Sequence, residues 1–268
     1  MIWNAKNGEV SLGGTQMSYV SFGSGPKAFI LLPGLSDGLA TVRGKALLLA
    51  KPYTSFFERY TVYMFSRKDD LPEGASIRDM AEDQAKAMEL LGIPKASVMG
   101  VSQGGMIAQL LAADHPQMVD KLVLAVTAPY ANATVKSTVG HWIGLAQQGS
   151  HKDLMIDTAE KSYSPAYLKK YRRIYPLLGR IGKPADYRRF LANAQAILSF
   201  DALPDLDRIT CPTLILGGED DRIVTADASR ELHEHIAGSE LYLYPGLGHA
   251  AYEEAPDFNE RVLRFLEA

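Results

Sequence analysis

A serine, a histidine and a pair of acids in this chain sit where they could share a proton. Ser102 lies in Gly100-Val101-Ser102-Gln103-Gly104, a G-x-S-x-G spacing. An apolar run, Ala96 to Val101, leads into it, and a helix-forming run, Met106 to Ala113, leads out. That setting puts the serine on a sharp strand-to-helix turn, which imposes a strained backbone on it. Glycines two residues either side relieve crowding where strand and helix nearly touch. The helix N-terminus then points free N–H groups at the serine oxygen. A serine hydroxyl is a poor nucleophile at neutral pH and needs a base within hydrogen-bond reach, oriented by an acid. His249, in Pro245-Gly246-Leu247-Gly248-His249, directly follows the last expected strand. Gly218-Glu219-Asp220-Asp221 follows the strand before it and offers two acids, Asp220 and Asp221. Taken singly, each has a plain structural reading: a capping serine, a core histidine, a solvated acidic turn.

Other chemistries find less support. His233 and His235 are two apart on an expected helix and face different sides. His115 precedes Pro116 at a helix end, where a C-terminal cap is expected. No C-x-x-C, H-E-x-x-H or G-x-x-x-x-G-K-[ST] occurs, so the expectation is no metal and no cofactor. Cys211 is the only cysteine, which excludes an internal disulfide, and it begins an apolar run where a buried, inert thiol is expected.

Positioning these residues is the task of the surrounding elements. Glu9 to Leu12 and Gln16 to Phe22 read as strands joined at Gly13-Gly14. Ala28 to Leu32 reads as a strand buried on both faces, ending at Pro33-Gly34. Ala46 to Phe57 has helical spacing interrupted by Pro52, and Thr61 to Phe65 is β-rich. Ser76 opens a helix with a capping-box pattern to Asp79, and Gly92 ends it. Lys121 to Thr127 is a further strand. Strands and helices therefore alternate from residue 28 to 127, the pattern of a parallel, doubly wound sheet. Residues 130 to 203 show no strand and are broken at Pro165, Pro176 and Pro184, which predicts a helical insertion over the sheet. Alternation resumes with a strand from Pro212 to Leu216, a helix from Thr225 to Ala237, a strand from Leu241 to Tyr244 and a helix from Ala255 to Leu266. In such a sheet the loops at the strands' carboxyl ends gather on one edge, which brings Ser102, the acids and His249 together.

An apolar fraction of 47% and a charged fraction of 22% are those of an ordinary globular protein of one large domain or two small ones. A net charge of −3 argues against general affinity for nucleic acid or anionic membrane. No run approaches the ~20 apolar residues of a membrane span. The first residues lack an apolar signal-peptide core, so cytoplasmic residence is the default expectation. Between Lys136 and Arg189, eleven basic side chains face four acidic ones, an excess of seven. The plain reading is a solvated basic face, and the sharper one is attraction of an anionic substrate.

Nucleophile, acid and histidine in this order resemble one family. The chain resembles the α/β-hydrolase superfamily over essentially its whole length, with Gly100 to Gly104 as the nucleophile elbow. Cys211 to Thr225 looks like its acid-bearing strand and Gly248-His249 with Glu254-Ala255-Pro256 like its histidine loop. The resemblance selects Asp221 over Asp220. It implies a doubly wound, mostly parallel sheet with a core of residues 1–129 and 204–268 and a helical cap of 130–203. It also implies an oxyanion hole from the backbone N–H groups of Gln103 and Leu35. Pro33-Gly34 stands where the family often has His-Gly, and Ser66-Arg67-Lys68-Asp69-Asp70 where an Asp-x-Arg-Gly loop is common. What braces the oxyanion loop is thereby left open.

The expectation is a carboxylesterase-like serine hydrolase acting on a small ester, thioester or lactone, with a small-molecule substrate as its partner. Carbon–carbon bond hydrolysis, aminopeptidase action and acyl transfer use the same triad, and a non-catalytic binding protein of this fold is the alternative class. His141, Trp142, Met155, Tyr163 and Tyr167 of the insertion are candidate pocket walls.

Overall fold

The strands differ in residue pattern, and the difference sorts them by position. The computed structural model describes residues 2–180 and 182–268. In β1 (Lys6–Leu12), Val10 and Leu12 are buried and their neighbours face outward, as on an edge strand with one wet face. It pairs antiparallel with β2 (Thr15–Gly23) across Gly13 and Gly14, whose φ angles of 57° and 90° suit a tight hairpin. β3 (Lys27–Leu32), β4 (Tyr60–Phe65), β5 (Ala96–Val101), β6 (Val119–Ala125) and β7 (Thr213–Gly218) are almost continuously apolar. They form the interior of the sheet, which β8 (Glu240–Tyr244) closes.

The strand order is β1-β2-β4-β3-β5-β6-β7-β8, parallel from β4 to β8 and antiparallel at β1 and β2. Helices cover both faces. On one, α2 (Ile77–Leu90), α3 (Gln103–Asp114) and α8 (Ala226–His235) bury residues such as Met80, Ile107 and Leu232. On the other, α1 (Ala46–Ala50) and α9 (Phe258–Glu267) bury Ala46, Ala50, Phe258 and Val262. From β3 the chain moves outward to β4, then crosses back past β3 to β5. The loops after β3 and β5 therefore diverge, leaving a crevice at their carboxyl ends, where doubly wound sheets bind ligands.

Between β6 and β7 stand α4 (Ala133–Gln147), α5 (His151–Ser162), α6 (Pro165–Tyr171) and α7 (Arg188–Leu198), with no named strand among the described residues. The two ends of this segment meet. Tyr130 and Asp201 form a β-bridge, Ala131 donates its N–H to Phe200 at 2.9 Å, and Ala202 donates to Pro129 at 2.8 Å.

Local expectations hold at α2, where Ser76 and Asp79 make a reciprocal capping box. They need correction at three places. The expected helix from Ala255 begins instead at Phe258, because Pro256 drives the residue before it out of the helical region, and Ala255 has ψ 117°. Thr225 lies outside α8 with φ 74°. Cys211 precedes β7 and is half-buried rather than buried, although burial still raises its thiol pKa. No helix among the described residues is long and apolar enough to cross a membrane.

Two glycines make opposite predictions. A Cβ on Gly104 would stand 1.9 Å from the Leu32 carbonyl oxygen, whereas one on the exposed, helical Gly140 would meet nothing within 4 Å. Gly140→Ala should stabilise the fold by about 0.5–1 kcal/mol, raising the melting temperature by roughly 1–4 °C. Gly104→Ala should lower the melting temperature sharply or prevent folding. Thermal melts followed by circular dichroism check both.

Candidate active site

Ser102 must turn the chain from β5 into α3 in one residue, and it does so with φ 54° and ψ −118°. Such a non-glycine conformation costs about 1–3 kcal/mol and persists only where the surroundings impose it. Here they do. The Ser102 N–H donates to Ala125 at 2.9 Å. Its carbonyl accepts from Gly105 N–H at 2.8 Å, Met106 N–H at 3.2 Å and the Thr127 hydroxyl at 2.8 Å. The glycines admit this turn by contact: a Cβ on Gly100 would lie 2.2 Å from the Gly104 carbonyl oxygen. Thr127 reaches its place because Val126, just past β6, also has positive φ, at 44°. For a β-branched residue that is an outlier.

The Ser102 hydroxyl lies 3.0 Å from His249 Nε2, and His249 Nδ1 lies 2.8 Å from Asp221 Oδ2. With the ring proton on Nδ1, the imidazole donates to the carboxylate and accepts from the serine. The other carboxylate oxygen, Oδ1, accepts the N–H groups of Ile223 at 2.8 Å and Val224 at 3.0 Å. His249 and Asp221 are buried and Ser102 is half-buried, so the chain of hydrogen bonds is shielded while its serine end stays reachable. Asp220 points its side chain to solvent, so the geometry picks out Asp221. The His249 loop is braced from the helical segment: Ala250 N–H donates to Ser162 at 2.9 Å, and Glu254 accepts from Ser164 N–H at 2.9 Å.

The loop after β3 reaches the same point. Gly34 packs against Ser102, with a Cβ there placed 3.4 Å from the serine Cβ. Leu35 opens a short 3-10 turn and Gln103 opens α3, so neither N–H has an acceptor within its own helix. The brace for this loop is Asp37, whose buried carboxylate accepts from the Ser66 hydroxyl at 2.6 Å and the Arg67 N–H at 3.0 Å. Sequence reasoning missed Asp37, Arg67, Thr127, Arg189 and Asn193. The one available signal was Arg67 two residues past the end of an apolar strand.

Beside this loop, between residues 33–49 and the helical segment, lies a cavity of about 310 Å³ lined by Pro33, Leu39, Val42, Leu49, Met64 and Met155 among others. A second cavity, of about 450 Å³, lies behind Asp221, and Trp142 lines neither: it is buried in the core and its indole N–H donates to Asp157 at 2.7 Å. Tyr163 lines the cavity behind Asp221 and donates its hydroxyl to Glu253 at 2.6 Å. Tyr167 stacks on Tyr163, and His141 is exposed. The basic excess of the segment does not reach the Met155 cavity, whose lysine, Lys45, comes from the loop before α1. Arg172 pairs instead with Glu160, Arg188 with Asp186 and Arg189 with Asp37. Among the described residues no cluster of His, Cys, Asp or Glu could hold a metal ion.

Burial opposes the Asp221 charge, but the His249 ring and the two backbone N–H groups outweigh it and hold the pKa below the usual Asp value. The carboxylate is therefore favoured by folding. It contributes stability above the ordinary Asp range near ~4, and that contribution is lost as pH falls through the lower folded pKa. Asp221→Asn should thus be less stable than wild type at pH 6, with the gap narrowing as the pH is taken from about 4 toward 2. Urea denaturation at stepped pH measures the gap, and a gap that widens toward acid would contradict this account.

Comparison with known proteins follows the same lines. The chain matches the α/β hydrolase fold family over residues 27–256. It is 30% identical to the human serine hydrolase BPHL, across 97% of this chain and 86% of that protein. It is also 30% identical to a 2-hydroxy-6-oxononadienedioate/2-hydroxy-6-oxononatrienedioate hydrolase of Pseudomonas sp, across 70% of each. The enol-lactonase from Burkholderia xenovorans LB400 superposes with a TM-score of 0.82 at 21% identity, over 97% of this chain and all of that one, a likeness of fold. Relatives of this kind are hydrolases, and with a match of this extent the chain belongs to the α/β-hydrolase family.

Proposed function

We propose that this chain is a serine hydrolase that cleaves a small carboxylic ester, thioester or lactone through an acyl-enzyme on Ser102. The observation that carries the reading is the unbroken relay from Ser102 Oγ through His249 to Asp221, set at a strained turn. In it, Ser102 Oγ attacks the substrate carbonyl as His249 Nε2 takes the hydroxyl proton. Asp221 holds the ring proton on Nδ1 and stabilises the imidazolium. The Leu35 and Gln103 N–H groups receive the oxyanion. When the tetrahedral intermediate collapses, the bond to the leaving oxygen or sulfur breaks and Nε2 returns the proton to it. Water then attacks the acyl-enzyme with His249 again as base, releasing the acid and restoring Ser102.

Residues 130–203 act in this reading as a cap over a core of 1–129 and 204–268. The cavity beside the oxyanion loop receives the substrate's apolar portion. At about 310 Å³ it lies at the small end of ligand sites, and its largely apolar lining favours a short aliphatic or small cyclic group. Met155 supplies the cap's side of that wall.

Labelling with a fluorophosphonate probe should modify wild type and fail in Ser102→Ala. The same variant should lose at least ~10³-fold in kcat/KM on p-nitrophenyl esters, keeping only what the oxyanion hole and binding supply. Folded wild type that neither labels nor turns over these esters would move the chain to the binding-protein class. Met155→Trp, which fills the cavity, should shift the ester series toward shorter acyl chains, whereas an unchanged chain-length profile would place the pocket elsewhere.

A further inference from the structure

A buried charge network lies directly behind the oxyanion loop, and the reaction as described above makes no use of it. Its centre is the Asp37 carboxylate, 3% exposed, held between two guanidinium groups. Arg67 Nη1 stands 3.6 Å from Asp37 Oδ2, and Arg189 Nη2 donates to the same oxygen at 2.6 Å. Arg189 also donates to the Asp37 carbonyl and, at 2.8 Å, to the Arg67 carbonyl. One carboxylate facing two guanidinium groups leaves one positive charge in excess. Arg67 is 1% exposed, and burial lowers its pKa to about 10, so it remains charged near neutral pH.

From this centre a second arm runs to the elbow. Arg67 Nη2 donates to Gln103 Oε1 at 2.8 Å, and Gln103 Nε2 donates to the Asn193 carbonyl at 2.8 Å. Asn193 Nδ2 donates in turn to the Arg189 carbonyl at 2.8 Å. Both ends of the Gln103 amide are thus committed, which fixes the side chain of the residue whose N–H faces the serine. The loop itself is pressed on α7: a Cβ on Gly38 would lie 2.9 Å from Phe190 Cα. So α7 touches both segments that carry the two N–H groups, the Leu35 loop through Asp37 and Gly38 and the elbow through Gln103.

We infer that Arg189, reaching from α7 to Asp37 and the Arg67 carbonyl, is a positioning residue that sets the spacing of the Leu35 and Gln103 N–H groups, so that the seating of α7 tunes the oxyanion hole. This rests on the functional reading above. A buried, hydrogen-bonded ion network contributes little net stability compared with an apolar replacement, but it has one low-energy arrangement. Geometry is what this site requires, because donors aimed at an oxyanion lose their effect when displaced by small distances. The excess positive charge adjoins the elbow, since Arg67 is hydrogen-bonded to the Gln103 side chain, and a nearby positive charge favours developing negative charge.

The test compares wild type, Arg189→Met, Arg189→Lys and Arg188→Met on a matched oxoester and thionoester. Sulfur in place of the carbonyl oxygen profits little from N–H donors, so the oxo-to-thiono ratio of kcat/KM reports the hole and not overall stability. Arg189→Met should lose at least tenfold in kcat on the oxoester with KM within twofold, and its oxo-to-thiono ratio should fall by a similar factor. Arg189→Lys, which keeps a charge beside Asp37 but cannot span both carbonyls, should recover part of the ratio. Arg188, whose side chain is 90% exposed, is the control and should match wild type when changed to Met. Should Arg189→Met fail to fold, Gln103→Met cuts the second arm, leaves the backbone N–H in place and should lower the same ratio. An unchanged ratio in the folded variant, whatever its melting temperature, overturns the inference alone. Wild type without Ser102-dependent turnover overturns the functional reading and this inference with it.

Discussion

Everything in this molecule near the serine follows from one constraint: a strand buried in the sheet and a helix packed on it must be joined by a single residue. Ser102 takes a left-handed φ of 54° to do so. The consequences propagate outward. Gly100 and Gly104 are required because their Cβ positions coincide with backbone carbonyls. Thr127 is required to hold the Ser102 carbonyl, and Val126 is strained in turn to deliver it. The cost of a few kcal/mol is met by hydrogen bonds at both ends of the Ser102 residue, and the hydroxyl gains a fixed line to His249.

The parts of this arrangement that were legible in the sequence are those governed by local chemistry. Runs of buried residues marked β3, β5, β6 and β7, since a strand covered on both faces cannot alternate. The G-x-S-x-G spacing and the glycines around His249 marked two corners of the relay. The acid was less legible: composition and turn position left Asp220 and Asp221 equal, and only the resemblance separated them. In the structure the separation is a matter of orientation, with Asp221 taking two backbone N–H groups that Asp220 cannot reach.

What stayed hidden depends on contacts between distant segments. Arg67 reads as one more surface cation in Ser66-Arg67-Lys68-Asp69-Asp70, yet it is among the largest fully buried side chains. Its partners, Asp37, Gln103 and, through the carbonyl, Arg189, come from three separate elements, and no spacing rule links residues 37, 67, 103 and 189. The same holds for the basic stretch from 136 to 189. Counting charges treats Arg189 as part of a solvated face, while the fold turns it inward. Trp142 shows the converse, an aromatic that composition offers to a pocket and that the fold uses to join α4 to α5 through Asp157.

The bridge between Tyr130 and Asp201 has a meaning beyond local pairing. The helical segment leaves the sheet and returns to it at adjacent points, closed by paired backbone from Pro129 to Ala202. To β6 and β7, the 130–203 segment therefore looks like a short turn, whatever its contents. Lengthening or shortening such a loop changes its closure entropy only slowly, by roughly 0.6 kcal/mol per doubling. The register of β6 and β7 is thus insensitive to the length of the segment, and its interior is tied to the rest of the molecule through individual residues, among them Arg189 and Asn193 on α7 and Ser162 and Ser164 beside the His249 loop.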